Sequence, residues 1–383
     1  MSHQLIINAR VITSEKVLPD HCIEIKDGKI ASVFPCQRLQ ALEKDVEVWD
    51  ADDAYAAPGL IDLHIHGFGG FGPELGTQEA LLKMSEELAK HGVSAFCPTL
   101  YCGQPQQMRQ IIENTVGAFG KEQGARLLGY HLEGPFISPK KPGVMKPQDI
   151  SPIDLPALQS LWQAARGHMA IMTAAPELPG IEQLAAFCRE KHILLQAGHT
   201  NATYEEFLHG AELGITHVTH LFNAMSPFTH RAPGAAGAVL MHPEISAEII
   251  ADGVHVHPDV VNFLGRIKPP QNIVLVTDAL LPTAQSNPPF LANQEEVVFE
   301  GGVWKRASDR VIAGSALTML QGIKNLVSFG FPLPQAVGCA SANPARLLGF
   351  KNKGALTAGM DADITVFDRQ FQPVRTFISG QRS

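Results

Sequence analysis

Two histidines, His64 and His66, stand one residue apart at the end of an apolar run that reads LIDLHIHG. Alternate residues of a β-strand point to the same face, so both imidazoles could bind one metal ion. A glycine-rich segment, GFGGFG, follows the pair and allows the backbone to turn sharply. The spacing predicts a pair of metal ligands, although a single buried histidine is more often a hydrogen-bonded core residue.

Polar side chains recur at the ends of other apolar segments. They are Glu133 in HLEGPF, His199 in AGHT, His220 in HVTHLF and Asp278 in LVTDA. A buried carboxylate is costly without a partner, and a cation supplies one. Imidazoles and carboxylates without thiolates suit Zn²⁺, Fe²⁺, Mn²⁺ or Co²⁺, and such an ion lowers the pKa of bound water towards about 7. A neighbouring carboxylate would then serve as general base and later as general acid.

The segments that carry these residues alternate with helical stretches. They read GLIDLHIHG, VSAFCPTL, ARLLGYHLEG, MAIMTAAPE, HILLQAGHT, ITHVTHLFNAM, AEIIADG and NIVLVTDAL. Alternation of this kind indicates parallel βα units, and eight of them predict a closed (β/α)8 TIM-like barrel over residues 56–354. The carboxyl ends of barrel strands meet at one face, so residues distant in sequence would converge there. An open doubly wound sheet is the structural alternative.

The two ends of the chain lack this alternation of strands and helices and contain short, strand-like segments instead. The segments QLIINARVIT, HCIEIKDGKIASVF and VEVWDA are rich in Val and Ile, and Asp27-Gly28 is typical of a hairpin turn. The ending, GALTAGMDADITVFDRQFQPVRTFISG, resumes this pattern. We therefore predict one small β-sandwich domain built from both termini, residues 1–55 and 355–383.

Composition excludes several classes of function. The 383 residues are 45% hydrophobic and 18% charged, which is ordinary for a globular chain, and the net charge is −8 without a dense basic patch. Nucleic-acid and membrane partners are therefore not expected. No apolar run is long enough to span a bilayer, and the first residues do not read as a signal peptide. The six cysteines form no CxxC pair, which argues against a disulfide framework and predicts a reducing cytoplasm.

The same motifs carry a family resemblance that covers nearly the whole chain. The segments PGLIDLHIHG, HLEGPF, AGHTNA, THLFNAM, IADGVHV and LVTDA resemble the amidohydrolase superfamily. More closely, they are similar to its branch that deacetylates N-acetylated sugar phosphates. The resemblance implies metal-dependent hydrolysis of the acetamide of N-acetylglucosamine 6-phosphate, giving glucosamine 6-phosphate and acetate. It also implies amino-sugar catabolism as the biological setting.

The resemblance assigns roles to the strand-end residues. Glu133, His199 and His220 would bind the metal found throughout the branch, and Glu133 would occupy the place of a carboxylated lysine in hydantoinase-like relatives. A second ion would be bound by His64 and His66 with Glu133 and Asp278. One or two ions are thus expected, and Asp278 would also be the general base and acid.

Residues for the sugar phosphate follow from the same resemblance. Asn223, Ala224 and Arg231 would hold the phosphate, and the forked guanidinium of an arginine matches phosphate oxygens. His255 would reach the active site of a neighbouring subunit in a homodimer. His131 shares a strand face with Glu133 and is expected to contact the substrate or to support the metal ligands.

One position departs from the branch. The loop after HLEGPF often supplies a His or Gln to the substrate, but here it reads SPKKPGVMKPQDI with Met145 at about that place. A thioether cannot donate a hydrogen bond to an acetyl carbonyl. The substrate could therefore be another N-acetylhexosamine phosphate, such as N-acetylgalactosamine 6-phosphate, or another small amide. A non-catalytic scaffold would have lost ligands, and none of the six expected ligand positions is lost.

Overall fold

A computed structural model describes residues 3–39 and 46–382 of the chain. Strands before the barrel are β1 (His3–Ile12), β2 (Val17–Lys26), β3 (Lys29–Pro35), β4 (Glu47–Asp50) and β5 (Tyr55–Pro58). Parallel strands follow as β6 (Leu60–Ile65), β7 (Val93–Leu100), β8 (Arg126–Leu127), β9 (Tyr130–Glu133), β10 (Met169–Ala174), β11 (Leu194–Ala197), β12 (His217–Val218), β13 (Ser246–Ile250) and β14 (Ile273–Val276). Antiparallel strands come next as β15 (Leu291–Ala292), β16 (Glu295–Glu300), β17 (Val303–Arg306) and β18 (Ile312–Ser315). The last strands are β19 (Ile364–Phe367), β20 (Pro373–Ile378) and β21 (Gln381–Arg382).

Helices connect the parallel strands and cover the barrel. They are α1 (Gln78–Lys90), α2 (Pro105–Thr115), α3 (Leu155–Ala164), α4 (Ile181–Glu190), α5 (Tyr204–Glu212), α6 (Gly234–Met241), α7 (Pro258–Ile267), α8 (Met319–Ser328), α9 (Leu333–Cys339) and α10 (Ala342–Leu347). Short 3₁₀ turns occur at Cys36–Arg38, Pro73–Leu75, Val116–Ala118, Pro147–Asp149 and Pro270–Asn272.

Local sequence explains why these helices begin and how they pack. Thr77 caps α1 by accepting a hydrogen bond from the amide of Ala80, and helix α1 buries Leu81, Met84 and Leu88 on one face. Helix α5 begins with a capping box, in which Thr203 and Glu206 satisfy each other's backbone amides. Such faces pack against the strands and form the main hydrophobic core around the barrel.

The predicted parallel barrel is confirmed. Within residues 46–382, eight parallel strands pair in the order β6, β7, β9, β10, β11, β12, β13 and β14, and β8 pairs beside β7. Backbone hydrogen bonds join the ends of the first and last of these strands. The amide of Asp278 donates to the carbonyl of His64 at 2.9 Å, and the amide of His66 donates to the carbonyl of Ala279 at 2.9 Å. These bonds close the barrel next to the predicted ligands.

The predicted β-sandwich corresponds to one continuous sheet that encloses its own core. Among the described residues, its strands run in the order β21, β20, β19, β5, β1, β2, β3, with β4 paired to β1. Side chains from both ends of the chain, including Ile6, Ile23 and Ile364, fill this core. Strand β5 pairs with β1 and β19, so the sheet extends to Pro58, three residues beyond the predicted boundary at residue 55. Residues 1, 2, 40–45 and 383 of the predicted small domain lie outside the described residues.

A third sheet, which sequence analysis did not predict, follows the last barrel strand. Strands β15 to β18 form it in chain order. The amide of Ser315 donates to the carbonyl of Asp278 at 2.9 Å, so β18 lies against the segment that carries the last predicted ligand. The sheet therefore forms one wall over the carboxyl face of the barrel.

Cysteine pairing corrects one prediction. Cys22 on β2 and Cys36 form a disulfide, with their Cα atoms 5.3 Å apart. The expectation that no cysteine pairs is wrong for these two, because sheet pairing brings β3 and the turn after it back beside β2. The described free cysteines are buried: Cys97, Cys102, Cys188 and Cys339. Among the described residues, no helix combines the length and the apolar character needed to cross a bilayer.

Candidate metal centre and cavity

The carboxyl ends of five barrel strands bring the predicted ligands to one place. His64 lies in β6 and His66 just after it, and Glu133 is the last residue of β9. The other three side chains follow strands β11, β12 and β14: His199, His220 and Asp278. All six residues are buried, with Asp278 the most exposed at 8%.

Glu133 forms one compact cluster with two histidines. Its Oε1 atom lies 3.1 Å from Nε2 of His199 and 3.0 Å from Nε2 of His220, and the two Nε2 atoms are 3.2 Å apart. Ligand atoms about 2.0–2.2 Å from a shared zinc ion are separated by distances of this order. These three side chains could therefore hold a metal ion.

A second cluster shares the same carboxylate. Nε2 of His66 lies 3.1 Å from Oε2 of Glu133, and Nε2 of His64 lies 3.4 Å from Oε1. Oδ1 of Asp278 lies 3.5 Å from His64 and 3.4 Å from His66. Glu133 thus lies between two ligand groups, as a carboxylate that bridges two ions would.

The donor atoms fit a divalent transition metal. Nε2 of His64 is fully buried and has no hydrogen-bond partner among the described residues. Buried polar atoms normally have a partner, and a metal ion at the centre would supply one. Nδ1 of His199 contacts the carbonyl of Lys141 at 3.0 Å, which fixes the ring so that Nε2 faces the centre. Imidazole and carboxylate donors without thiolate suit Zn²⁺, Fe²⁺, Mn²⁺ and Co²⁺.

Backbone strain occurs at the same positions. His199, His220 and Asp278 have φ values of 46°, 28° and 50°, in the left-handed region that non-glycine residues seldom adopt. Each follows the end of a strand, where the chain must turn while the side chain faces inward. Strain of this kind persists where the surroundings over-determine the conformation, which is common at functional sites.

The buried charges stabilise one another. Burial alone would raise the pKa of the Glu133 carboxyl, but the imidazoles of His64, His199 and His220 hold it well below its usual range. Burial likewise opposes the ionised form of Asp278, and His64 and His66 lower the pKa of this carboxyl. Both groups are therefore carboxylates at neutral pH, the form in which they bind metal ions or accept protons.

A cavity of about 290 Å³ opens directly above the ligands. Its polar lining residues include Glu133, Asp278, Asn223 and His255. Its apolar lining residues include Val144, Met145, Val311, Ile312 and Ala313. A small molecule with both polar and apolar groups would fit this lining.

Three predicted substrate residues line the cavity. Asn223 and Ala224 do so from the segment after β12. His255 also lines the cavity of its own chain, and its Nδ1 lies 2.6 Å from Oδ2 of Asp252. That His255 reaches the active site of a neighbouring subunit stays a prediction, and within one chain the residue lies at its own cavity.

Two predicted substrate residues are not at the cavity. Arg231 is exposed, among exposed neighbours, and does not line the cavity. His131 lies beneath it, with its ring centre 4.6 Å from that of His64, and contacts Thr99 at 3.2 Å and Thr173 at 2.8 Å. Its role in substrate binding stays a prediction, and its contact with His64 agrees with the alternative that it supports the metal ligands. Burial lowers the pKa of its imidazole to about 3.

Two residues beside the ligands were not predicted from the sequence. The ring of Tyr101 stacks on His66, with centroids 3.8 Å apart. Glu248, in the middle of β13, contacts His64 from behind. A charged residue between the apolar residues of the run AEIIA was a usable signal, since burial of an unpaired carboxylate is costly. Met145 does lie on the cavity wall and is 3% exposed.

Comparison with known proteins agrees with this geometry. Residues 55–382 match the amidohydrolase family. The chain is 32% identical to the N-acetylglucosamine-6-phosphate deacetylase of Bacillus subtilis, over 98% of this chain and 96% of that protein. It is 29% identical to the N-acetylgalactosamine-6-phosphate deacetylase of Escherichia coli O157:H7, over 97% of each chain.

A solved structure is similar over the full length. The crystal structure of N-acetyl-D-glucosamine-6-phosphate deacetylase from Mycobacterium smegmatis superposes with a TM-score of 0.91 and 28% identity. The similarity covers 99% of this chain and 100% of that one. The small β domain, the barrel and the sheet after it therefore occur together in both proteins.

Proposed function

The chain belongs to the amidohydrolase family, and we propose that it hydrolyses the acetamide of N-acetylglucosamine 6-phosphate to glucosamine 6-phosphate and acetate. The observation that carries the proposal is the convergence of four imidazoles and two carboxylates beneath one cavity. This donor set is suited to activating water beside an amide carbonyl. The full-length similarity to deacetylases that act on this sugar phosphate gives the substrate.

The proposed cofactor is one or two divalent ions of zinc, iron, manganese or cobalt. Glu133, His199 and His220 would hold one ion, and His64 and His66 would hold a second with Glu133 and Asp278. A bound ion of this kind lowers the pKa of water and polarises a carbonyl oxygen.

Asp278 is the proposed general base and acid. Its carboxylate lies at the cavity wall and is ionised at neutral pH, so it can accept a proton from the attacking water. The water oxygen bonds to the carbonyl carbon as that proton moves to Asp278. The same proton then passes to the amide nitrogen as the carbon–nitrogen bond breaks, leaving acetic acid and a free amine. The acid loses the second proton of the water to the amine or to solvent and becomes acetate.

The remaining polar residues of the cavity are proposed to orient the sugar phosphate. Asn223 and Ala224 lie at one side of the ligands, and His255 lies at the cavity with Asp252 behind it. Burial lowers the pKa of the His255 imidazole, but Asp252 outweighs this and raises it above its ordinary value. A protonated His255 would donate a hydrogen bond to a phosphate or hydroxyl oxygen of the substrate.

The substrate assignment is tested by acetate release from three compounds. We expect kcat/KM for N-acetylglucosamine 6-phosphate to exceed that for N-acetylgalactosamine 6-phosphate. Unphosphorylated N-acetylglucosamine should be about 100-fold poorer or worse, because binding of the distant phosphate helps to orient the acetamide. The galactosamine epimer is the second candidate, supported by the 29% identity to a deacetylase of that substrate. Equal rates with and without phosphate would indicate another small amide.

We also propose a homodimer and a cytoplasmic location. Phe228 and Met241 are about half exposed on the segment that carries Arg231, and apolar side chains of this size favour a covered surface. An Arg231 that binds phosphate would have to enter the cavity of a second copy, since it lies outside its own. The cytoplasm is supported by the four free, buried cysteines, and the Cys22–Cys36 disulfide is the exception.

A further inference from the structure

A charged residue lies inside the barrel wall where no charge is expected. Glu248 is the third residue of β13, is 0% exposed and has apolar neighbours in its strand. A buried carboxylate costs several kcal/mol unless hydrogen bonds and opposite charges compensate. Its contacts therefore indicate what the residue does.

One carboxylate oxygen of Glu248 faces both ligand clusters. Oε2 lies 3.1 Å from Nδ1 of His64 and 3.3 Å from the backbone nitrogen of His220. An ionised carboxylate only accepts hydrogen bonds, so Nδ1 of His64 must carry a proton. The other nitrogen of that ring, Nε2, faces Glu133 and Asp278, has no hydrogen-bond partner among the described residues and is the nitrogen left available to a metal ion.

The second oxygen is oriented from the other side. Oε1 of Glu248 lies 3.7 Å from Nε2 of His217, too far for a hydrogen bond but close enough for attraction. Nδ1 of His217 contacts the hydroxyl of Ser246 at 2.7 Å, which orients the ring. The carboxylate thus lies between His217 and the metal ligands, and its hydrogen bonds go to the metal ligands alone among the described residues.

We propose that Glu248 is a positioning residue that orients His64 and the backbone of His220, and so sets the affinity for the ion held by His64, His66 and Glu133. The inference rests on the proposed metal-dependent function. His64 depends on Glu248 through its side chain, whereas His220 is contacted only through its backbone. The ion at the His64 cluster should therefore be affected more than the ion at His199 and His220. Loss of a residue that orients a ligand typically weakens metal binding by about 10- to 100-fold.

Two substitutions separate geometry from charge. Glu248→Ala removes both hydrogen bonds, and Glu248→Gln keeps one amide oxygen that can accept from His64 and His220 but loses the charge. Binding of Zn²⁺ and Co²⁺ by equilibrium dialysis with elemental analysis gives the number of ions and their affinities without reference to turnover. We expect Glu248→Ala to weaken the ion at the His64 cluster by about 10- to 100-fold and Glu248→Gln to weaken it less.

Glu122→Gln is the matched control. Glu122 is also buried, accepts a backbone hydrogen bond from Leu127 at 3.0 Å and has no contact with the centre. This variant should bind metal like the wild type, while its melting temperature reports the general cost of changing a buried glutamate. Melting temperatures of all variants show which of them fold.

A double-mutant cycle decides whether Glu248 acts through His64. In a His64→Ala background, Glu248→Gln should cause no further loss of affinity, because the group it orients is gone. Wild-type affinities in both Glu248 variants, or an equal loss with and without His64, would overturn the inference. A wild-type chain that binds no ion through His64 would overturn it as well. Failure of the proposed function would appear separately, as absence of acetate release from wild-type protein.

Discussion

Asp278 differs from the other carboxylates of the centre in the surface it presents. Glu133 also lines the cavity but is 2% exposed and surrounded by histidines, and Glu248 lies behind His64, whereas Asp278 is 8% exposed at the cavity. A general base must lie within reach of the proton that it removes, so the more exposed Asp278 is the better candidate for this role. Its φ of 50° orients the side chain, at a cost in backbone strain that the barrel-closing hydrogen bonds offset.

Asp278→Asn should reduce kcat by about 100- to 10,000-fold, because an amide cannot accept the proton of the attacking water. Elemental analysis should still find the ion held by Glu133, His199 and His220. Steady-state acetate release, measured beside metal content, checks both statements. Turnover at the wild-type rate would remove Asp278 from the mechanism.

The convergence of the predicted metal ligands could be predicted from the sequence, because the strand ends of a barrel meet at one face. His64, His66, Glu133 and Asp278 lie together there. His255 and Arg231 lie on loops, and the path of a loop is not encoded by a period of two or 3.6 residues. The positions of these two residues therefore needed the structure.

Barrel closure depends on a contact between the first and last strands. Oδ2 of Asp62 on β6 accepts a 2.6 Å hydrogen bond from the hydroxyl of Thr277, next to Asp278. The other oxygen of Asp62 faces the amides of His64 and Thr277 at 3.3 Å each. Burial raises the pKa of this carboxyl to about 7, although all three hydrogen bonds oppose that shift.

Thr277→Val should lower the free energy of unfolding by about 1–3 kcal/mol, since a buried acceptor loses its hydroxyl donor without a change in shape. Urea unfolding followed by circular dichroism measures the loss. Thr357→Val, at an exposed threonine outside the helices and strands, is the control and should be nearly neutral. Equal effects of the two substitutions would mean that the Asp62 contact contributes nothing.

A charged cluster fixes the returning chain to the small sheet. Asp361 contacts Nζ of Lys29 at 2.5 Å and Nζ of Lys353 at 3.0 Å. Burial would raise the pKa of Asp361, but the two lysines lower it below its ordinary 3.8. A lowered carboxyl pKa stabilises the fold above pH 3.8, and that contribution is lost as the pH falls further.

Asp361→Asn should therefore destabilise the protein by about 1 kcal/mol at neutral pH and by less at about pH 3.5. Urea midpoints for both proteins at the two pH values give the comparison. Glu15→Gln, at an exposed loop position, should show no such pH dependence. A difference that grows on acidification would contradict the assignment.

Elements were predictable where the hydrophobic pattern was regular. All eight barrel segments form strands, because short apolar runs between helices have few other buried arrangements. The sheet of β15 to β18 was missed, since exposed residues such as Phe299 break the expected alternation of that segment. The Cys22–Cys36 pair arises from strand pairing, which cysteine spacing does not reveal.

The whole molecule combines a barrel that carries the centre with a sheet assembled from both chain ends. The fold class was predicted from the alternation of strands and helices. The small domain was predicted because both termini contain short segments rich in Val and Ile. The division into residues 1–55 with 355–383 and residues 56–354 stays a prediction about domains. The homodimer likewise stays a prediction. In the single chain, His255 lines the cavity and Arg231 lies on the surface.

Mixing two inactive variants tests the proposed dimer. If Arg231 serves the cavity of a second copy, Arg231→Ala and Asp278→Asn should both be inactive alone. Refolded together at equal amounts, they should recover up to about a quarter of wild-type activity, since half of the dimers then contain one complete site. Sedimentation analysis confirms that dimers form. If the mixture forms dimers but remains inactive, Arg231 does not serve the cavity of a second copy.

The central claim, that a divalent ion in this cavity drives amide hydrolysis, is tested most directly by removing and restoring the metal. Protein stripped with a chelator should release no acetate from N-acetylglucosamine 6-phosphate and should remain folded. Activity should return in proportion to added Zn²⁺, Mn²⁺, Fe²⁺ or Co²⁺ and saturate at one or two equivalents per chain. Full acetate release from folded protein without bound metal would contradict the account.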